Sequence, residues 1–214
     1  MGVSVLIPTR SRPKRFKTAV DSLLQTKTGE VEVLSYVDFD DPDLEAYEKP
    51  TILGPRLTLT NALKRLIEKA SFDLMLLGAD DIIFKTQGWD EKMVKAMPKD
   101  CIGIVYAHDG GPKNLNHFMF HRKWYSLTGL FPDDFEHFGP DTYIGKVAEG
   151  IGRKILVSDV LIEHHHTKNG KAKSDLTYEY PRTNGMVERD TKRLREHEKH
   201  RIPAEIELLK QHCL

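Results

Sequence analysis

Residues 72–84, FDLMLLGADDIIF, constrain the fold of this chain more than any other stretch. An unbroken apolar run stops at two adjacent carboxylates, Asp80 and Asp81, and then resumes. The LMLL run fits a strand covered on both faces. Acids at the C-terminal end of such a strand lie where open α/β sheets take their ligands. Neighbouring carboxylates repel each other unless a cation or hydrogen-bond donors answer them. The expected answer is a divalent metal carrying a phosphorylated ligand, although a simple Asp-Asp turn or helix cap would also place two acids after a strand.

The surrounding pattern supports a sheet protein. VSVLIP at 3–8 and VEVLSYV at 31–37 read as strands, and a helix is expected between them over 16–25. Residues 59–70 carry helical apolar spacing through Leu59, Leu63, Leu66 and Ile67 and feed the 72–77 strand. A short IIF segment, a helix near 89–97 and the strand 102–107 follow. This alternation predicts an α/β fold with a mostly parallel central sheet flanked by helices. Further on, a helix is expected to begin near Asp141, and KILVSDVLIEHHH contains one or two strands ending in three histidines. The 214 residues suit one domain of ordinary size with a modest appendage. The expected division is one domain over 1–167, in two halves (1–100 and 101–167), followed by a polar extension over 168–214. Residues 186–201 read as a charged, solvated helix or a contact for homo-oligomers.

Charge and cysteine content exclude several classes. With 32 basic and 32 acidic residues, nothing in the overall balance attracts nucleic acid or an anionic membrane. No apolar stretch reaches spanning length, and the N-terminus enters directly into a strand without a charged-then-apolar leader. A cytoplasmic protein is expected. Cys101 and Cys213 lie far apart without CxxC spacing and read as plain thiols.

In the order and character of its motifs, the chain over about residues 3–166 resembles the inverting nucleotide-sugar glycosyltransferases of the GT-A fold, family 2 above all. The likeness is to the compact form seen in many bacteriophage and bacterial proteins. The residues that carry it are the turn Ile7-Pro8-Thr9-Arg10 after the first strand, Asp38 in YVDFDD, Thr60-Asn61 opening a helix, the LLGADD segment, Pro140-Asp141 with Gly152 eleven positions on, and His164–His166. The resemblance implies a nucleotide site made of Pro8, Thr9, Arg10, Asp38, Asn61, Asp80 and Asp81. Asp38 would accept the imide N–H of uracil. Asp80 would be the metal ligand, with Asp81 bracing the donor sugar or the water around the ion, and Asp141 would be the general base.

Two positions depart from the family pattern. Gly78 stands where an Asp-x-Asp motif would place its first acid, and Pro140 replaces an acid beside the base. Histidine can make up the ligand set. Strand alternation sends His164 and His166 to one face and His165 to the other, so the first two are the candidate ligands. Imidazole favours Mn²⁺ over Mg²⁺. Trp89, Asp109 and Glu136 are candidate acceptor contacts, whereas Trp124 reads as a core anchor. Lys171, Lys173 and Arg182 are candidates to fold over a bound diphosphate. Each assignment has a plainer reading as a turn acid, a helix cap at Asp141 or a surface basic turn at TRSRPKR.

The implied reaction moves a sugar from a UDP-linked donor to an acceptor hydroxyl on a glycan, a protein or modified DNA. Charge balance gives the DNA option no particular support. A non-catalytic nucleotide-sugar or glycan-binding module, a sugar nucleotidyltransferase and a metal-dependent hydrolase are the alternatives. The nucleotidyltransferase would need a Gly-rich loop after the first strand, where TRSRPKR has none.

Overall fold

The computed structural model describes residues 2–110, 115–167 and 170–213. In chain order the elements are β1 (Val3–Thr9), α1 (Pro13–Thr26), β2 (Val31–Asp38), β3 (Ile52–Gly54), α2 (Leu59–Lys69), β4 (Leu74–Leu77), β5 (Ile82–Phe84), α3 (Trp89–Ala96), β6 (Ile104–His108), β7 (Phe118–His121), α4 (Arg122–Thr128), α5 (Pro140–Gly150), β8 (Lys154–His164), α6 (Leu176–Thr183), α7 (Met186–Lys199) and α8 (Arg201–Lys210). The strands form one eight-stranded sheet in the order β3-β2-β1-β4-β7-β6-β8-β5. Its pairings make β1, β2, β3, β4, β6 and β8 run one way and β5 and β7 the other. The sheet is therefore mostly parallel. The C-terminal ends of β1, β2, β4 and β8 share one edge, and that common direction assembles the site.

Both faces of the sheet are covered, as the apolar runs predict. Along β1 and β4, Val5, Ile7, Leu74 and Leu76 point into a core shared with Ala19 and Leu23 of α1 and Trp89 and Met93 of α3. The alternate residues Leu6, Met75 and Leu77 pack with Leu63, Leu66 and Ile67 of α2 and with Trp124, Tyr143 and Leu209 on the other face. Pro13 opens α1, where a fixed φ suits the first turn and its missing N–H has no helical partner to lose. The Thr58 hydroxyl caps α2 by accepting the Asn61 N–H.

Gly78 is explained by the approach of β4 to β1. Its N–H donates to the Leu6 carbonyl at 2.9 Å. A Cβ there would lie 3.0 Å from Ile7 Cγ1 and 3.1 Å from Val5 Cγ1. An acid at this position would press on the β1 side chains, which would have to shift by a few tenths of an ångström to admit it.

The segment expected to be a solvated charged helix is α7, and α8 follows it with Ile202 and Leu209 buried in the core. KILVSDVLIEHHH forms one strand, β8, which pairs with both β6 and β5. Cys101 and Cys213 are free thiols. Among the described residues no helix is long and apolar enough to cross a membrane.

Candidate active site

The shared strand edge opens into a cavity of about 910 Å³, whose walls include Thr9, Asp38, Asp80, Asp81, Asp141 and His164. Asp38 ends β2 and is only 8% exposed. Burial raises its pKa against the opposing charge of Arg10. Arg10 Nη1 donates to Asp38 Oδ2 at 2.8 Å and to Asp40 Oδ1 at 2.6 Å. These contacts hold the basic turn after β1 against the acidic turn after β2.

Asp80 and Asp81, both buried in the turn after β4, face different partners. Asp80 Oδ2 accepts from the Thr9 hydroxyl at 2.8 Å, and its Oδ1 accepts from Arg12 Nη1 at 3.1 Å. Asp81 Oδ1 lies 3.3 Å from His164 Nε2, and its Oδ2 accepts from the Tyr178 hydroxyl at 2.5 Å. Burial raises the Asp80 pKa; the Arg12 charge opposes it and the Asp81 charge adds to it. Burial works against Asp81 as well, but its contacts with His164 and Tyr178 outweigh it and hold this carboxyl below the usual range. The expectation paired Asp80 with the histidines. The structure pairs Asp81 with His164, because the turn beyond Gly78 aims Asp80 back at β1.

Among the described residues no group of three or more His, Cys, Asp and Glu side chains is arranged to hold a metal ion. The Asp81–His164 pair still fits one as a partial ligand set. Two ligands of one ion at about 2.1 Å each stand roughly 3 Å apart, and these two atoms are 3.3 Å apart. Carboxylate oxygen with imidazole nitrogen also suits Mn²⁺. His164 and His166 line the cavity, whereas His165 Nε2 meets Glu163 Oε2 at 2.9 Å, although β8 ends at His164 and the last two histidines lie just beyond it. The His166 ring packs edge-on against His164 and against Tyr178.

Asp141 stands in the first turn of α5. Gly139 precedes the helix at φ 92°, a left-handed conformation that glycine adopts without Cβ strain. Asp141 Oδ1 accepts its neighbour's N–H, from Thr142, at 2.7 Å. The loop leading into α5 is pinned by Asp190 of α7, only 1% exposed. Asp190 accepts the backbone N–H groups of Glu136, His137 and Phe138 at 3.0, 2.9 and 2.8 Å. Glu136 lines the cavity but is engaged by Arg189 and Arg193 in ion pairs at 2.7 and 2.6 Å.

Other expected site residues lie elsewhere. Trp89 is fully buried beside Phe84, so it is a core anchor and not an acceptor contact: as the first residue of α3 it turns inward under β5. Trp124 is buried, as expected. Asp109 is buried away from the cavity wall, accepting from Asn116 Nδ2 at 2.7 Å. Asn61 serves α2 through its capped N–H and does not line the cavity. Pro8, Thr9 and Arg10 do line it.

Several residues here carried no distinguishing sequence signal. Arg12 was legible only as one of four cations, with Arg10, Lys14 and Arg15, in a basic turn near the expected pyrophosphate position, and nothing in the sequence set it apart from ordinary surface. Asp190 looked like any other acid of a charged helix. His117 stood outside every motif, yet it lines the cavity beside His164, their ring centroids 4.9 Å apart, with neither ring nitrogen hydrogen-bonded. Of the basic tail residues, Arg182 lines the cavity. Lys171 pairs with Glu163, the Lys173 carbonyl accepts from Arg15, and Arg182 donates to the Tyr178 carbonyl. The tail also reaches the site through Asp175 and Tyr178.

A mostly parallel sheet that delivers Thr9, Asp38, Asp81 and His164 from its strand ends to one cavity, with α5 opening onto the same space, is the GT-A fold of nucleotide-sugar glycosyltransferases. Solved structures that share it include the mannosyltransferase PcManGT of Pyrobaculum calidifontis in complex with GDP-Man and Mn²⁺, at TM-score 0.62 and 15% identity, covering 76% of this chain and 56% of that one. Glucosyl-3-phosphoglycerate synthase of Mycobacterium tuberculosis, in complex with Mn²⁺, UDP and phosphoglyceric acid, matches at TM-score 0.60 and 14% identity over 86% of this chain and 75% of that one. S. aureus TarS 1–349 in complex with UDP-GlcNAc matches at TM-score 0.61 and 13% identity over 81% and 62%. Against a second structure of TarS 1–349, the match spans 59% of the TarS chain. No protein-family model matches the sequence, and no curated protein matches it.

Proposed function

We propose that the protein is a metal-assisted, inverting glycosyltransferase that moves a sugar from a uridine diphosphate donor to an acceptor hydroxyl. The observation that carries this reading is the convergence of Asp38, Asp81, His164 and Asp141 on one cavity from four separate elements. The size also suits it, since small-molecule sites run from about 300 to 1,000 Å³. The solved structures of the same fold, with UDP, UDP-GlcNAc or GDP-Man bound, support a nucleotide-sugar donor.

In this reading Asp38 accepts the uracil imide N–H, with Arg10 fixing the orientation of its carboxylate. Asp81 and His164 would hold a divalent ion, Mn²⁺ by preference, and Asp80 sets the turn that presents Asp81. The ion, when bound, offsets charge developing on the departing diphosphate. Asp141 takes the proton of the acceptor hydroxyl as the hydroxyl attacks the anomeric carbon from the face opposite the leaving group. The Asp190 contacts keep the preceding loop, and with it the start of α5, in place for that transfer.

The test is incubation with a panel of UDP-sugars, Mn²⁺ and hydroxyl acceptors, reading UDP release. Asp141→Asn should lower transfer by at least about 10²-fold, the scale of a lost general base, while UDP binding is retained. Asp81→Asn should weaken Mn²⁺ binding in the presence of UDP by about tenfold or more, and Asp80→Asn should weaken it less. UDP binding without turnover across the panel would favour a binding module, and full activity in Asp141→Asn would remove the proposed base.

A further inference from the structure

Arg12 is the most deeply buried cation beside the two acids, its side chain only 7% exposed, and its main partner comes from 163 residues away. Its Nε donates to Asp175 Oδ2 at 3.0 Å and its Nη2 to Asp175 Oδ1 at 2.6 Å, a two-pronged grip on one carboxylate. Arg15 Nη2 reaches the same carboxylate at 3.4 Å. A guanidinium holds two oxygens of a phosphate in this same forked geometry. One turn further along, the Tyr178 ring lies 4.0 Å beneath the Arg12 guanidinium, and its hydroxyl occupies Asp81 Oδ2. A single helical turn thus covers two cations and the metal-side acid together.

We propose that Arg12 and Arg15 form the binding site for the donor's diphosphate, and that Asp175 occupies it as an internal placeholder until that anion displaces it. Naming the anion as the diphosphate of a nucleotide rests on the function proposed above; the anion site itself rests on the contacts of the two arginines. The Asp175 and Arg15 side chains are 32% and 31% exposed, so an incoming anion reaches the contact from solvent. Arg12 keeps Asp80 as a partner when Asp175 leaves, so the exchange does not strand a buried charge. A pyrophosphate group carries more charge than one carboxylate and presents more oxygens to the same two forks. Departure of the α6 turn also frees Asp81 Oδ2 from Tyr178. The contact therefore lowers the apparent affinity for the anion by the fraction of molecules in which the placeholder is seated.

Calorimetric titration of the full chain with inorganic pyrophosphate, UDP and uridine, each with and without Mn²⁺, tests this. Asp175→Asn keeps a good N-cap for α6 but removes the competing charge. It should tighten pyrophosphate and UDP by about tenfold and leave uridine unchanged. Tyr178→Phe should give a smaller tightening, confined to titrations with Mn²⁺. Arg15→Gln and Arg12→Gln should each weaken pyrophosphate, and hydrogen exchange should show residues 175–183 loosening on UDP addition. Unchanged or weaker pyrophosphate binding in Asp175→Asn, no pyrophosphate binding by either form, or protection of residues 175–183 by UDP would each overturn the proposal. Tightening in Asp175→Asn without sugar transfer by any form would leave the anion site standing and remove the glycosyltransferase reading. Transfer with no Asp175→Asn effect would do the reverse.

Discussion

The two ends of the cavity are built by different means. At the end proposed for the donor, Thr9, Asp38 and His164 close strands and Asp81 sits in the turn between β4 and β5, so the register of the sheet places all four. At the acceptor end, Asp141 and the loop before it depend on α7, whose Asp190 holds three successive backbone N–H groups from more than fifty residues away. The proposed donor end is set by sheet register, and the proposed acceptor end by side chains reaching in from other elements, the buried Asp190 foremost. Substitutions should therefore separate the two ends.

The largest effect is expected from Asp190→Ala. It leaves three N–H donors without their charged acceptor and should cost about 3 kcal/mol in urea unfolding. Transfer should fall with it while UDP affinity in the surviving folded protein is kept. If UDP binding collapsed in step with transfer, the two ends would not be independent.

Gly78→Asp attacks the donor end. It restores the family's acid yet should destabilise by about 2 to 3 kcal/mol, because a Cβ at this position meets Ile7, Val5 and the Leu6 carbonyl at 3.0 to 3.3 Å. Improved Mn²⁺ binding without loss of thermal stability would show that β1 and β4 are less tightly set than the contacts indicate.

The smallest effect is a pH dependence at the donor end. Burial, with the His164 charge adding, pushes His117 down to about 3. The folded protein resists a proton that the unfolded chain accepts near pH 6.5. This contribution to stability is therefore complete above that pH and is lost as pH falls towards the folded value. From pH 6.5 to 5 the loss should be about 2 kcal/mol, read from urea midpoints, and His117→Asn should flatten the profile.

The same contrast governs what was legible in the sequence. Strand-borne residues announce themselves, since an apolar run ending in Asp or His states both the element and the end on which the side chain sits. Asp38, the Asp80–Asp81 pair and the alternation of His164 and His166 were read that way. The division of labour between Asp80 and Asp81 was not, because it depends on how closely β4 approaches β1, a distance between chain segments. Trp89 misled because a tryptophan opening a helix looks the same whether it faces a ligand or the core. Asp190 and Asp175 were hidden for a related reason. Each sits in a polar, charged stretch where composition points to solvent, and only tertiary contact distinguishes it from its neighbours.

The grip of Asp190 on residues 136–138 also has a consequence for the order of events during synthesis. Strands β1, β2 and β3 and the β1-facing edge of β4 find their pairing partners within the first 77 residues, so this part of the sheet can assemble as it emerges. The acceptor loop emerges long before the side chain that fixes it. On a translating ribosome the strand-end wall of the cavity carried by Thr9 and Asp38 should therefore form well before the loop leading to Asp141 is fixed. A nascent chain stopped ahead of Asp190 would be expected to keep the strand-end residues in place while the backbone N–H groups of residues 136–138 lack their acceptor.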